Sequence, residues 1–343
     1  NPYHEDFKKP AVVIGNHASF LDTLTMAMLV PKMVFLVNDW VWKSPVFGKA
    51  VQTMGFYPVR NGVEGSLTIL REKVVQGYSI VVFPEGTRSY DNSPKRFHKG
   101  AFYLAQELNL DVVPLFIHGN GDTLPKGDHI IYPMTITPVI GKRIDADALD
   151  FGVGYKERTK EISGYFKREY KCWRLKLEDA SYFEYKLNLA YRYKEDEIIK
   201  SVKESLRYWK NTFHQLHQAQ ILGKSILHWS DSYGELDYLL SLQDGERKIY
   251  GLLEEDEHRY IASSIYWSNS RKVLFPREAE SFETLLISKR LSDDEMQDFN
   301  FNNYTQVINI NRSNDLSNLL RIGFVELTVQ DDIVLYRQEY ENG

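Results

Sequence analysis

A histidine and an aspartate five residues apart, His17 and Asp22, stand in Asn16-His17-Ala18-Ser19-Phe20-Leu21-Asp22, directly after the apolar run Ala11-Val12-Val13-Ile14-Gly15. An alcohol is a poor nucleophile at neutral pH, so its attack on a carbonyl needs a group that removes the hydroxyl proton. An unperturbed imidazole, with a pKa near 6.5, is largely neutral at pH 7 and can take that proton. A carboxylate on the other ring nitrogen fixes the tautomer and stabilises the imidazolium that forms. Residues five apart on one continuous helix do not share a face, so the histidine must precede the helix that carries the aspartate. Ser19-Phe20-Leu21-Asp22 has the form of a capping box, which predicts a helix starting at Ser19 with His17 on the entering loop and Asp22 in the first turn. On this segment alone, a plain helix cap beside a strand-end turn is an equally good reading.

A second segment, Phe83-Pro84-Glu85-Gly86-Thr87-Arg88-Ser89, follows the apolar run Ser79-Ile80-Val81-Val82. Pro84 ends the strand, and Gly86 permits a tight turn that presents Thr87 and Arg88. A guanidinium held there can grip a phosphate through two parallel hydrogen bonds, with Glu85 either holding the guanidinium or bonding the acceptor's glycerol part. A surface turn with a weak local ion pair is the alternative.

The two segments, with Gly55-Phe56-Tyr57-Pro58-Val59-Arg60, Phe97-His98-Lys99-Gly100-Ala101 and Val112-Val113-Pro114-Leu115 between and after them, resemble the ordered blocks of the glycerolipid acyltransferase family over residues 11–120. That family moves an acyl chain from a thioester to a hydroxyl. The resemblance implies His17 as general base, Asp22 as its orienter, and Arg60, Arg88 and Lys99 as an anion cradle, with Glu85, Gly86 and Thr87 at the acceptor. It associates Pro114 with the shape of the acyl-donor site, and implies neither a metal nor a covalent acyl-enzyme. The expected donor is acyl-CoA or acyl-carrier protein, and the expected acceptor is a lysophospholipid, foremost lysophosphatidic acid.

Positioning these residues calls for strands at 11–14, 34–37, 79–83 and 112–117 with helices at 67–75 and 100–108. This alternation predicts an α/β layer with buried, mostly parallel strands and sites at strand ends. Residues 1–170 are read as this domain and residues 171–222 as a helical connection. Within that connection, residues 179–222 lack proline and glycine and carry apolar residues at helical spacing. A second, Rossmann-like α/β domain is expected over 223–343, with strands at 225–229, 248–253, 272–275, 284–287 and 306–310.

Its opening, Ile226-Leu227-His228-Trp229-Ser230-Asp231-Ser232-Tyr233-Gly234, resembles the first strand and glycine loop of class I S-adenosylmethionine methyltransferases. His228, Ser230 and Ser232 stand where that family has an acid and two glycines, and Leu253 where it has the ribose-binding acid, with Glu254 adjacent. The resemblance therefore implies a degenerate domain without cofactor; the alternatives are an active methyltransferase in this domain, or a whole chain that is a non-catalytic lipid-binding or scaffolding module. His214 and His217 lack metal-ligand spacing to any partner and read as a helix face.

The 343 residues carry 42 Lys and Arg against 47 Asp and Glu, a formal net charge of −5. The excess is uneven, roughly +2 over 1–170 and roughly −7 over 171–343. A mildly basic first half suits an anionic headgroup better than a nucleic-acid duplex, which argues against nucleic acid as a partner. One cysteine, Cys172, excludes an internal disulfide. No apolar run reaches the roughly 20 residues of a membrane span. Residues 39–47 mix tryptophan and lysine as interfacial segments do, or else pack between sheet and helix. The chain opens on Asn1-Pro2, read as an interior cut of a longer polypeptide with a peripheral place on the cytoplasmic side of a membrane.

Overall fold

The computed structural model describes residues 1–38, 42–43, 56–59, 64–265, 273–275, 282–311, 313–330 and 333–338. The chain divides into two compact units, Asn1–Leu177 and Glu178–Gly343.

The first unit holds strands β1 (Ala11–Gly15), β2 (Met33–Asn38), β3 (Phe56–Val59), β4 (Ser79–Val82), β5 (Asp111–His118) and β6 (Thr137–Ile140). Its helices are α1 (Leu21–Leu29), α2 (Leu67–Val75), α3 (Gly100–Glu107), the short α4 (Asn120–Thr123) and α5 (Tyr155–Leu177). The strands form one sheet in the order β3-β2-β4-β1-β5-β6. Each pairing is parallel except β5 with β6. Strands β1 and β5 are buried along their whole length, as continuous apolar runs covered on both faces must be.

Helix α5 covers one face of this sheet. Its Ile162, Phe166 and Tyr170 recur every four residues and bury among Phe97, Phe102 and Phe116. Phe166 meets Phe97 edge-on with ring centres 5.3 Å apart and Phe116 at 4.6 Å. Each such buried side chain contributes about 1.5–3 kcal/mol.

The second unit holds α6 (Glu184–Ala190), α7 (Asp196–Gln218), β7 (Ser225–Trp229), α8 (Glu235–Gln243), β8 (Lys248–Leu252), α9 (Asp256–Ser263), β9 (Val273–Leu274) and β10 (Thr284–Ile287). It continues with α10 (Asp293–Asp298), β11 (Gln306–Asn309), β12 (Phe324–Gln330) and β13 (Ile333–Gln338). Its sheet order is β12-β13-β11-β10-β7-β8-β9. Counted from β7 as first strand, the order 3-2-1-4-5 is that of doubly wound sheets. The antiparallel hairpin β12–β13 completes it, with β13 against β11.

Residues 171–222 are not a connection. Residues 171–177 are the last turns of α5, while α6 and α7 belong to the second unit. Apolar spacing marked α7 as a helix but could not say which sheet it serves. Ile198, Val202, Leu206, Phe213 and Leu216 bury with Ile226, Leu240 and Leu286 of the second core. His217 is buried there too, taking a hydrogen bond from the Arg247 guanidinium at 3.2 Å, which puts it on the packed face of the helix.

Candidate active site

In the first unit, the parallel strands β1, β4 and β5 end on the same side, and the chain leaving each of them carries the residues of interest. Asn16, the first residue after β1, clamps the neighbouring strand. Its amide donates to Ile117 O and accepts from Ile117 N, both at 2.8 Å. His17 follows with its ring stacked on Phe83 beyond β4, centroids 4.2 Å apart and planes 10° from parallel.

Asp22 sits in the first turn of α1 and is fully buried. Its Oδ2 accepts from His17 Nδ1 at 2.9 Å and from the amides of Ala18 and Ser19 at 2.7 and 2.8 Å. Its Oδ1 accepts from the Asn120 amide at 2.9 Å, and Asn120 also reaches Thr25. A carboxylate with that many donors at a helix N-terminus is held in one position. The tautomer with hydrogen on Nδ1 follows, leaving Nε2 as an acceptor without a partner among the described residues.

The capping box forms only in part. The helix begins at Leu21, Asp22 accepts from the Ser19 amide as expected, but Ser19 Oγ accepts from Leu21 N and donates to Leu124 O. The reason lies in the partners: Asp22 faces His17 and Asn120, and Ser19 ties the loop after α4.

Glu85 has a different place from the one read in the sequence. Among the described residues it makes no ion pair with Arg88; it is buried, and each of its oxygens accepts from a backbone amide. Oε1 accepts from His17 N at 2.9 Å and Oε2 from Lys95 N at 3.0 Å. Burial pushes its carboxyl up to about 7. With Ser89 N donating to His17 O at 2.7 Å, Glu85 locks the two motifs together.

Gly86 has φ of +69°, a conformation that glycine adopts without strain, and its turn leaves Thr87 exposed and Arg88 half-buried. Lys99 is exposed at the N-terminus of α3. Pro114 is buried in β5 opposite Ile14, with its carbonyl accepting from Gly141 N. Arg60 and most of residues 39–47 lie outside the described residues.

Sequence reasoning missed Asn120, Lys95 and Lys126. The two ammonium groups both donate to Arg88 O, at 2.8 and 2.9 Å, and Lys126 also lies 3.4 Å from Thr87 Oγ1. Nothing in the order of residues announces these contacts, which join positions 7, 38 and 98 residues apart. Chemically, the first motif offers a proton acceptor at Nε2, and the second gathers Lys95 and Lys126 on the Arg88 carbonyl.

The strand-end loop of the second unit is filled from within. His228 is fully buried, with Nδ1 2.9 Å from Asp237 Oδ1 and Nε2 2.8 Å from Ser288 Oγ. The Ser230 and Ser232 hydroxyls bond to each other at 2.8 Å, and Ser232 accepts from Gly234 N. A Cβ on Gly234 would lie 2.6 Å from Ala262 and 3.1 Å from Phe275, so protein already occupies the close approach that a glycine keeps open. Glu254 is engaged by Trp229 Nε1 and Lys289. These residues do not fit S-adenosylmethionine. Among the described residues there is no cluster of three or more metal-ligating side chains and no helix long and apolar enough to cross a membrane.

Residues 3–118 match the family model described as Acyltransferase, and this segment is an acyltransferase-family segment. The chain is 34% identical over 146 residues to the chloroplastic 1-acyl-sn-glycerol-3-phosphate acyltransferase LPAT1 of Arabidopsis thaliana, covering 41% of each chain. It is 28% identical to the human 1-acyl-sn-glycerol-3-phosphate acyltransferase alpha, covering 35% of this chain and 44% of that one. The chain thus spans about two fifths of the length of the first curated relatives it matches. Among solved structures, the 1-acyl-sn-glycerophosphate acyltransferase PlsC of Thermotoga maritima aligns at 22% identity and a TM-score of 0.43, over 50% of this chain and 68% of that one. The Podospora anserina methyltransferase PaMTH1 aligns at 10% identity and a TM-score of 0.32, over 48% and 89%.

Proposed function

We propose that the acyltransferase-family segment of the first unit moves an acyl chain from acyl-CoA or acyl-carrier protein to the hydroxyl of a lysophospholipid, foremost lysophosphatidic acid. The observation that carries this reading is the His17–Asp22 pair with Nε2 left open, on the loop that Ser89 N and Glu85 tie to the turn bearing Arg88. The acceptor oxygen attacks the thioester carbonyl carbon as its proton passes to His17 Nε2. The C–S bond then breaks, and the imidazolium returns the proton to the leaving thiolate. Asp22 holds Nδ1–H throughout, and Asn120 holds Asp22. No acyl-enzyme or cofactor takes part, and Arg60, Arg88 and Lys99 attract the acceptor's phosphate with Gly86 and Thr87 shaping the turn beside it.

The acceptor is a membrane lipid, so the site works at a bilayer surface in this reading. Exposed Phe20, Leu24 and Met28 recur every four residues along the start and solvent face of α1, the helix that carries Asp22. The second unit is a methyltransferase-like fold that has lost its cofactor and takes no part in the chemistry.

Purified protein assayed against a panel of lysolipids, with acyl-CoA and acyl-carrier protein as donors, tests the proposal. Transfer that is lost in His17→Ala and highest with lysophosphatidic acid supports it. Activity equal in the variant and the wild type overturns it.

A further inference from the structure

Two lysine ammonium groups on one carbonyl oxygen are unusual company. Lys95 and Lys126 both donate to Arg88 O, which places the two nitrogens within roughly 6 Å of each other, where like charges repel. Among the described residues neither forms a direct ion pair with a carboxylate, and only Lys95 acts electrostatically on one, Glu85. Asp128, two residues from Lys126, is engaged by the Tyr132 hydroxyl and the amides of His129 and Ile130, and Glu85 by the amides of His17 and Lys95. Lys126 is steadied by the Tyr90 ring, 4.1 Å from its ammonium. An ammonium has three donors, and one acceptor on Arg88 leaves others to serve an anion.

We propose that Lys95 and Lys126 set the charge the acceptor headgroup must carry, selecting a phosphomonoester over a phosphodiester. This rests on reading the first unit as a lysophospholipid acyltransferase. A phosphomonoester carries about −1.5 to −2 near pH 7 and a diester carries only one charge. With Arg88, whose carbonyl they share, the cluster numbers three cations, a set that a single negative charge leaves largely unmatched. The pair also fixes the Thr87–Arg88 backbone, so both lysines act partly as positioning residues for the guanidinium.

The test compares lysophosphatidic acid, lysophosphatidylglycerol and monoacylglycerol of one chain length as acceptors for the full chain. Lys126→Gln should lower kcat/KM for the monoester by about 10–100-fold, mainly through KM, the loss expected of a charge-assisted hydrogen bond. The diester should change by less than about threefold, so the monoester-to-diester ratio collapses, and Lys126→Arg should restore it. Lys95→Gln should act in the same sense. Equal loss on both charged acceptors, without rescue by arginine, would mean that the lysines only brace the loop and would overturn the inference. If the wild type acylates none of the three acceptors, the parent reading fails and takes this one with it.

Discussion

Each unit places a histidine–aspartate pair at the C-terminal end of its first strand, and the two pairs share one geometry, Nδ1 to carboxylate oxygen at 2.9 Å. They differ in what surrounds the second nitrogen. The His17 side chain is 20% exposed and its Nε2 is open, whereas the His228 side chain is 0% exposed and its Nε2 meets Ser288. Ser288, His228 and Asp237 therefore line up in the order that activates a serine nucleophile, yet no substrate carbonyl can approach them. A pair makes a site only when its outer nitrogen can be reached. Where it cannot, the same hydrogen bonds join β7 to α8 and to the end of β10.

The sharpest way to break that contrast is to remove each imidazole. His17→Ala should reduce acyl transfer by about 10²- to 10⁴-fold, the range of general base catalysis, with little change in stability because Asp22 keeps three other donors, Ala18 N, Ser19 N and Asn120. His228→Ala should leave the turnover of folded protein unchanged. It strands the buried Asp237 carboxylate and should destabilise the second unit by about 3–5 kcal/mol. Steady-state rates, together with hydrogen exchange followed separately in β1 and β7, would read both effects. Loss of turnover in His228→Ala without loss of protection in β7 would contradict the comparison.

Two buried glutamates extend the contrast to pH. Burial pushes both Glu85 and Glu235 up to about 7. A carboxyl raised in the folded state contributes stability that is fully present below its ordinary range near 4.3 and is lost as pH rises through 7. Between pH 5 and 8 each should cost its unit about 3 kcal/mol, at about 1.4 kcal/mol per unit of pKa shift.

Their replacements should nonetheless differ. Glu235 Oε2 accepts from Tyr233 N and the Ser205 side chain also bonds the carboxyl, so Glu235→Gln keeps the Tyr233 bond and removes the charge. It should be near neutral at pH 5 and stabilising at pH 8. Both oxygens of Glu85 accept backbone amides, so Glu85→Gln must turn an NH₂ towards His17 N–H or Lys95 N–H. That costs about 1–3 kcal/mol at pH 5 and loosens the catalytic loop as well. Urea unfolding with a probe in each unit at the two pH values decides the matter. Identical behaviour of the two variants would remove the distinction.

The legible and illegible parts of this molecule divide by sequence distance. His17 and Asp22 stand five residues apart, so motif and geometry could be read together. The job of Glu85 is defined by amides 68 and 10 residues away, and that of Lys126 by a carbonyl 38 residues away; composition carries no trace of either. Strands β1, β4 and β5 were visible as continuous apolar runs because both faces are covered. Strand β12 was not, because its Val325 and Leu327 are exposed and alternate with polar residues, and β13 was missed although Ile333-Val334-Leu335-Tyr336 is a short apolar run. Helix α7 was legible as a helix, but its ownership depends on a core built mostly from residues that follow it.

The smallest expected effect separates the two strand-end loops at their glycines. Gly86 and Gly234 both have positive φ, +69° and +88°, so alanine at either carries about 1 kcal/mol of backbone strain. Around Gly86, a new Cβ meets only the exposed His98 ring at 3.2 Å, which can give way. Around Gly234 it meets Ala262 at 2.6 Å and Phe275 at 3.1 Å, inside a packed core, which adds about 1–3 kcal/mol of overpacking. Gly86→Ala should therefore unfold only slightly more easily than wild type, while its KM for a phosphorylated acceptor rises as the turn bearing Arg88 shifts. Gly234→Ala should lose more stability and leave KM untouched. A Gly86→Ala protein with unaltered KM would mean that the turn tolerates displacement, and that the cations around Arg88 locate the phosphate without a fixed backbone.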